Sequence, residues 1–169
     1  MRQKNRLNNW ISIRMGMVIV IFLGVSCGSM KSSTPPPAKD RLTEIDSLER
    51  LLPDCPTIAS TLPLLRRVAF LYQQQSEMKV YNERLYENAM AVDSISVAYL
   101  GLKNLAEYYY DQSVRDSLEY YCSLVDSIAK ARHEYPNVLF DVKSLSCQDL
   151  LWLGNYELAM SEAMDLYRL

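Results

Sequence analysis

The chain has 169 residues, a formal net charge of −2, and 49% hydrophobic against 22% charged residues, which fits one folded domain with short appendages and excludes a disordered chain. Five glycines and seven prolines exclude collagen-like and low-complexity classes and argue against an all-β chain, whose many turns consume glycine. There is no basic excess to hold nucleic acid, so no nucleic-acid partner is expected.

At the N-terminus Arg2, Lys4, Arg6 and Arg14 precede an uncharged apolar run over residues 15–25. A membrane-spanning helix needs about 20 such residues, so this run fits the apolar region of a signal peptide, with its positive flank left on the cytoplasmic side. The run ends in Val25-Ser26-Cys27. This ending resembles a bacterial lipoprotein signal, in which a Cys after a small residue is lipidated and becomes the new N-terminus. The resemblance implies lipidation at Cys27, anchorage to a membrane and a place in the bacterial cell envelope facing the periplasm. The same residues also read as an uncleaved anchor, or as a cytosolic chain with Cys27 an ordinary thiol. Removal of residues 1–26 would leave 14 basic against 20 acidic residues, a formal charge of −6. Such a surface suits anionic lipid poorly, so attachment would rest on the acyl chains.

Residues 28–40 carry Ser, Thr and Pro35-Pro36-Pro37, a polar and partly extended linker. From Asp40, a helix N-cap, Leu42, Ile45, Leu48 and Leu51/Leu52 recur at helical period until Pro53 and Pro56. Ser60 or Thr61 is expected to cap a second helix with Pro63 in its first turn, carrying Leu65, Val68, Ala69 and Tyr72. No proline follows until Pro136, and only Gly101 interrupts the 72 residues between, which favours long helices. A third helix carries Met78, Tyr81, Leu85, Ala89 and Val92, and Asp93-Ser94 offers the next cap. The fourth carries Leu102, Leu105, Ala106 and Tyr109, and the fifth Leu118, Tyr121, Cys122, Val125, Ile128 and Ala129. The sixth opens at Pro136 with Phe140, Cys147, Leu150 and Leu151 inward, and Gly154-Asn155 separates it from a seventh over residues 156–169.

The stripe Leu65, Val68, Ala69, Tyr72 recurs as Leu102, Leu105, Ala106, Tyr109, every member displaced by 37, and so does Gln75-Ser76 as Gln112-Ser113. Paired helices at such a period mark a helical solenoid. Together with Gly154-Asn155-Tyr156-Glu157-Leu158-Ala159, the stripe resembles a tetratricopeptide repeat (TPR) array over about residues 58–169. The resemblance implies an all-α domain over residues 41–169, built of antiparallel hairpins stacked as a short right-handed solenoid. A signal Cys, a spacer and Tyr-rich repeats are similar to the extracytoplasmic ends of Bacteroidetes sensor kinases and regulators. That implies a sensory or scaffold module of signal transduction that binds a protein or peptide. A free-standing TPR-like lipoprotein of outer-membrane assembly or glycan uptake is the alternative. In TPR-like arrays the first helix of each pair lines the concave side. The candidate binding surface is therefore Arg66, Phe70 and Gln73 with Lys103, Glu107 and Tyr110.

Chemistry is sparse. His133 is the only histidine, at the end of the fifth helix, where a side chain meets the helix dipole or solvent, and catalysis is not expected of it. No Gly-rich phosphate loop or calcium loop occurs, so no cofactor and no metal are expected. Cys55, Cys122 and Cys147 match no zinc or redox spacing; they read as buried apolar side chains or as two members of a disulfide. Twelve tyrosines exceed what a core needs and serve either helix packing or recognition. The seventh helix places Tyr156, Met160, Ala163, Met164 and Tyr167 along one side, expected to cover the sixth, and Leu158, Leu166 and Leu169 elsewhere. The array is therefore expected to be incomplete at its C-terminus, or to self-associate through residues 156–169.

Overall fold

Residues 38–73, 75–134 and 137–168 are described in the computed structural model of the protein. The apolar run, Cys27 and most of the linker lie outside them. Seven α-helices and no strand occur among the described residues. They are α1 (Ala38–Leu51), α2 (Ile58–Leu71), α3 (Glu77–Ala91), α4 (Ile95–Asp111), α5 (Arg115–Arg132), α6 (Asn137–Trp152) and α7 (Tyr156–Tyr167), with a 3₁₀ turn at Leu52–Asp54 after α1. All belong to one compact unit.

Two helix starts differ from expectation. Asp40 lies inside the first turn of α1, which begins at Ala38, so the helix takes the last residues of the expected linker. The carboxylate then favours the positive end of the helix dipole. The cap of α2 is Thr57, not Ser60 or Thr61. Its hydroxyl accepts from the Ser60 N–H at 3.2 Å, and the Ser60 hydroxyl accepts from the Thr57 N–H at 3.2 Å. This reciprocal box satisfies two orphan donors, so the helix starts one turn early and Pro63 falls inside it.

Four helices end alike. Asp93, Ser113, His133 and Gly154 follow α3, α4, α5 and α6 with φ of 55°, 55°, 55° and 76°. The next N–H in each case bonds a carbonyl five residues back, as Ser94 to Ala89, Val114 to Tyr109, Glu134 to Ala129 and Asn155 to Leu150. These are Schellman closures. Sequence points only to Gly154, because the other three turns use residues that reach the left-handed region at a cost.

Each helix packs on the next in sequence, and α4 also packs on α6. Asn88 near the end of α3 donates to Thr61 near the start of α2 at 2.9 Å, and Tyr72 stacks on Tyr81 at the other end, so these helices are antiparallel. Across alternate helices the contacts run parallel. Lys103 meets Asp141 at 2.7 Å and Tyr110 meets Gln148 at 3.3 Å, both 38 residues apart. Tyr121 meets Glu83 at 3.1 Å at the same separation.

The repeated stripe is the core. Leu65, Val68, Ala69, Leu102, Leu105 and Ala106 are buried, while Tyr72 and Tyr109 are half-buried at its edge. Each fully buried Leu contributes roughly 1.5–3 kcal/mol. One cluster of buried side chains centres on Leu62, Leu65 and Leu85, another on Leu102, Leu118 and Val142, and Tyr86 packs against both. The sixth helix corrects the expected face. Leu139 and Val142 are buried, whereas Phe140 is 38% exposed. The seventh corrects it again. Ala159 is buried and Leu166 half-buried, while Tyr156, Met164 and Tyr167 point outward with Leu158.

Candidate functional site

The α4–α6 interface is closed by the Lys103–Asp141 and Tyr110–Gln148 bonds. The preceding interface, between α2 and α4, is open. A groove of about 450 Å³ lies there, lined by Arg66, Ala69 and Phe70 of α2 with Gln73 just after it, by Leu100, Asn104, Glu107, Tyr108 and Asp111 of α4 with Gln112 just after it, and by Met78 of α3. Its walls match at the separation of the closed interface. Arg66 and Asn104, Ala69 and Glu107, Phe70 and Tyr108, and Gln73 and Asp111 are each 38 apart. Where Lys103 finds Asp141, Arg66 therefore finds only an amide. No acidic side chain lies within ion-pair reach of Arg66 among the described residues.

The floor is set by the crossing of α3 and α4. A Cβ at Gly101 would stand 3.0 Å from the Asn82 carbonyl oxygen and 3.2 Å from the Tyr86 nitrogen. Beside it the Asn82 amide is fully buried, donates to the Met78 carbonyl at 2.9 Å and accepts from Asn104 at 2.9 Å. Both hydrogen-bonding ends of Asn82 are thus used, and Asn104 is held in the groove wall by a group behind it.

The charges are divided along the groove. Arg66 stands at one end. At the other, Asp111 stands where α2 and α4 both end, with Glu107 one turn before it, level with Ala69. Burial pushes the Glu107 carboxyl above its usual range; Lys103, at 3.7 Å, pulls it back, while Asp141 and Asp111 push it further up. Burial opposes the charge on Lys103, yet Asp141 and Glu107 outweigh it and hold that ammonium above its ordinary pKa. A half-buried carboxylate with a raised pKa in a groove wall is a frequent property of binding and catalytic sites.

Of the six residues expected from sequence, Arg66, Phe70, Gln73 and Glu107 line this groove. Lys103 and Tyr110 do not; they reach Asp141 and Gln148 on α6. A shift by one repeat preserves direction, so Lys103 and Tyr110 look forward along the array as Arg66 and Gln73 do. The wall facing back toward α2 is Leu100, Asn104, Tyr108 and Asp111. A displacement of 38 instead of 37 would have found most of it.

A second groove of about 470 Å³ lies between α5, α6 and α7. Most of its charges are matched, Arg115 to Glu119 at 2.6 Å, Asp126 to Lys130 at 2.5 Å and to Lys143 at 3.3 Å, and Asp165 to Arg168 at 3.3 Å, while Glu162 accepts from the Cys147 thiol at 3.8 Å. Cys122 lines it, donates to the Val142 carbonyl at 3.4 Å, and has its thiol pushed up to about 12 by burial. Cys147, buried beside Glu162, is also pushed up to about 12 by burial and by that carboxylate. Cys55, Cys122 and Cys147 are free thiols. The raised pKa makes Cys122 and Cys147 poor nucleophiles. Among the described residues no three His, Cys, Asp or Glu side chains are grouped to hold a metal ion, and no helix is long and apolar enough to cross a membrane. His133 is exposed in a helix-ending turn.

Most tyrosines hold helices together. Tyr72 and Tyr81 stack at 5.4 Å and both donate to Glu49 of α1, and Tyr109 and Tyr121 stack at 5.5 Å with Tyr121 donating to Glu83 of α3. Tyr108 is the one that lines the α2–α4 groove. Comparison with protein-family models, with curated proteins and with solved structures gives no match for this chain.

Proposed function

We propose that the protein is a non-enzymatic, envelope-anchored binding module: a TPR-like helical array tethered through lipidated Cys27, with its ligand held between α2 and α4. It would serve as the sensory or scaffold end of a signalling system. The solenoid reading is supported by the stripe repeated at 37 and by the parallel contacts of α4 with α6 and of α3 with α5. The single observation that carries the binding site is the contrast between two equivalent interfaces. The α4–α6 side is bolted by side-chain bonds, and the α2–α4 side is left open with an unpaired Arg66. An aromatic pair with a few placed polar groups, in a cleft between about 300 and 1,000 Å³, is the usual form of a small-ligand site.

The test is photo-crosslinking in cells. A benzophenone amino acid at Phe70 or Tyr108 is expected to capture a ligand, whereas the same residue at Tyr120, exposed on α5, is not. Capture at Tyr120 with none at Phe70 or Tyr108 would move the site elsewhere. In the same cells Cys27→Ala is expected to release the chain from the membrane fraction and accumulate unprocessed precursor; unchanged fractionation and processing would rule out the tether.

A further inference from the structure

We infer that the α2–α4 groove takes a short linear peptide, about three residues long, with both its termini free: its carboxylate on Arg66 and its ammonium at Gln73 and Asp111. This rests on the groove being the ligand site. The separation of the charges sets the length. α2 and α4 are both packed on α3 and antiparallel to it, so they run parallel to each other. Asn104 and Asp111, level with Arg66 and Gln73, are seven residues apart on α4, which is roughly 10 Å at 1.5 Å per residue. An extended chain covers about 3.3–3.6 Å per residue, so three residues span that distance.

The polarity of the site sets the direction. α2 and α4 end side by side, and both bring the negative end of their dipole to the Gln73–Asp111 side. Asp111 stands there, with Glu107 one turn before it on α4, while Lys103 is shared between Asp141 at 2.7 Å and Glu107 at 3.7 Å. A cation at that end gains from both dipoles and relieves the crowding of the two acids. At the other end Arg66 offers a planar donor fork with no acidic partner, which fits a terminal carboxylate. Between them Ala69, Phe70, Met78 and Tyr108 make an apolar middle, which suits an aliphatic central side chain.

The probe is Ala-Leu-Ala, titrated calorimetrically into the full chain in detergent micelles. Three relatives accompany it: its C-terminal amide, its N-acetyl form and the dipeptide Ala-Leu. The free tripeptide is expected to bind, and blocking either terminus to weaken it about tenfold, which is about 1.4 kcal/mol. The dipeptide is expected to bind more weakly than the tripeptide. In Arg66→Ala the penalty for amidation disappears and that for acetylation remains; in Asp111→Asn the pattern reverses. Arg66 and Asp111 are exposed, so circular dichroism is expected to show both variants folded. Free and blocked tripeptides binding within twofold of one another, or no binding by any of them, would overturn the ligand class. If capture at Phe70 or Tyr108 persists in cells in that event, the groove stands and only the peptide is wrong. If both fail, the groove itself is wrong.

Discussion

Gly101 lets α3 and α4 touch through their main chains, and Asn82 and Asn104 bond across the same crossing. Alanine at this position would favour the helix by about 1 kcal/mol. Its Cβ, however, meets backbone atoms at 3.0 and 3.2 Å, and backbone cannot turn aside as a flexible side chain does. Overpacking costs about 1–3 kcal/mol. Gly101→Ala is therefore expected to lower stability by about 1 kcal/mol and Gly101→Val by more, measured by urea denaturation. An unchanged or higher urea midpoint for Gly101→Ala would show that α3 yields freely.

At the scale of the helix, the ends matter as much as the faces. Ser113 closes α4 at φ 55° and carries an exposed side chain. Glycine there removes the left-handed penalty of about 1–2 kcal/mol and gives back part of it as freedom in the unfolded chain. Ser113→Gly is expected to raise stability by roughly 0.5–1 kcal/mol in the same urea assay, and a loss would mean the turn needs its side chain. These ends also mark the limit of what can be read from residues alone. The seven helices and the stripe through Leu65 and Leu102 are legible because apolar period and repeat agree. The third copy is not, since Leu139 and Val142 continue the displacement by 37 while Lys143 and Ser146 stand where Ala106 and Tyr109 would recur. Half of the groove is legible as the residues beside the α2 stripe. The facing wall depends on how far one hairpin slides along the next, and that sum of many packing contacts leaves no mark at any single residue.

Over the molecule as a whole, two clusters of buried side chains share one large ring. Tyr86 packs against the Leu65–Leu85 cluster and against the Leu102–Val142 cluster. Arrays of helix pairs are coupled through such nearest-neighbour surfaces. Tyr86→Ala is expected to loosen that coupling, so that amides of α2 and α3 exchange hydrogen at a lower free energy than those of α4 to α6. In the parent protein the two sets should open together. Uniform exchange in the variant would place the coupling elsewhere, with the Tyr121–Glu83 bond the next candidate.

Trp152 ends α6 with 83% of its surface in water. Its indole is nearly as wet in the folded protein as in an unfolded chain, so tryptophan emission is a poor gauge of folding here. The dichroism of the stacked pairs Tyr72–Tyr81 and Tyr109–Tyr121, which vanish when the helices part, is the better one. The same wetness makes Trp152 a sentinel. With Trp10, the only other tryptophan, changed to Phe, a blue shift in emission would announce that lipid, a second copy or some other apolar body had settled over the outer edge of α6 and α7.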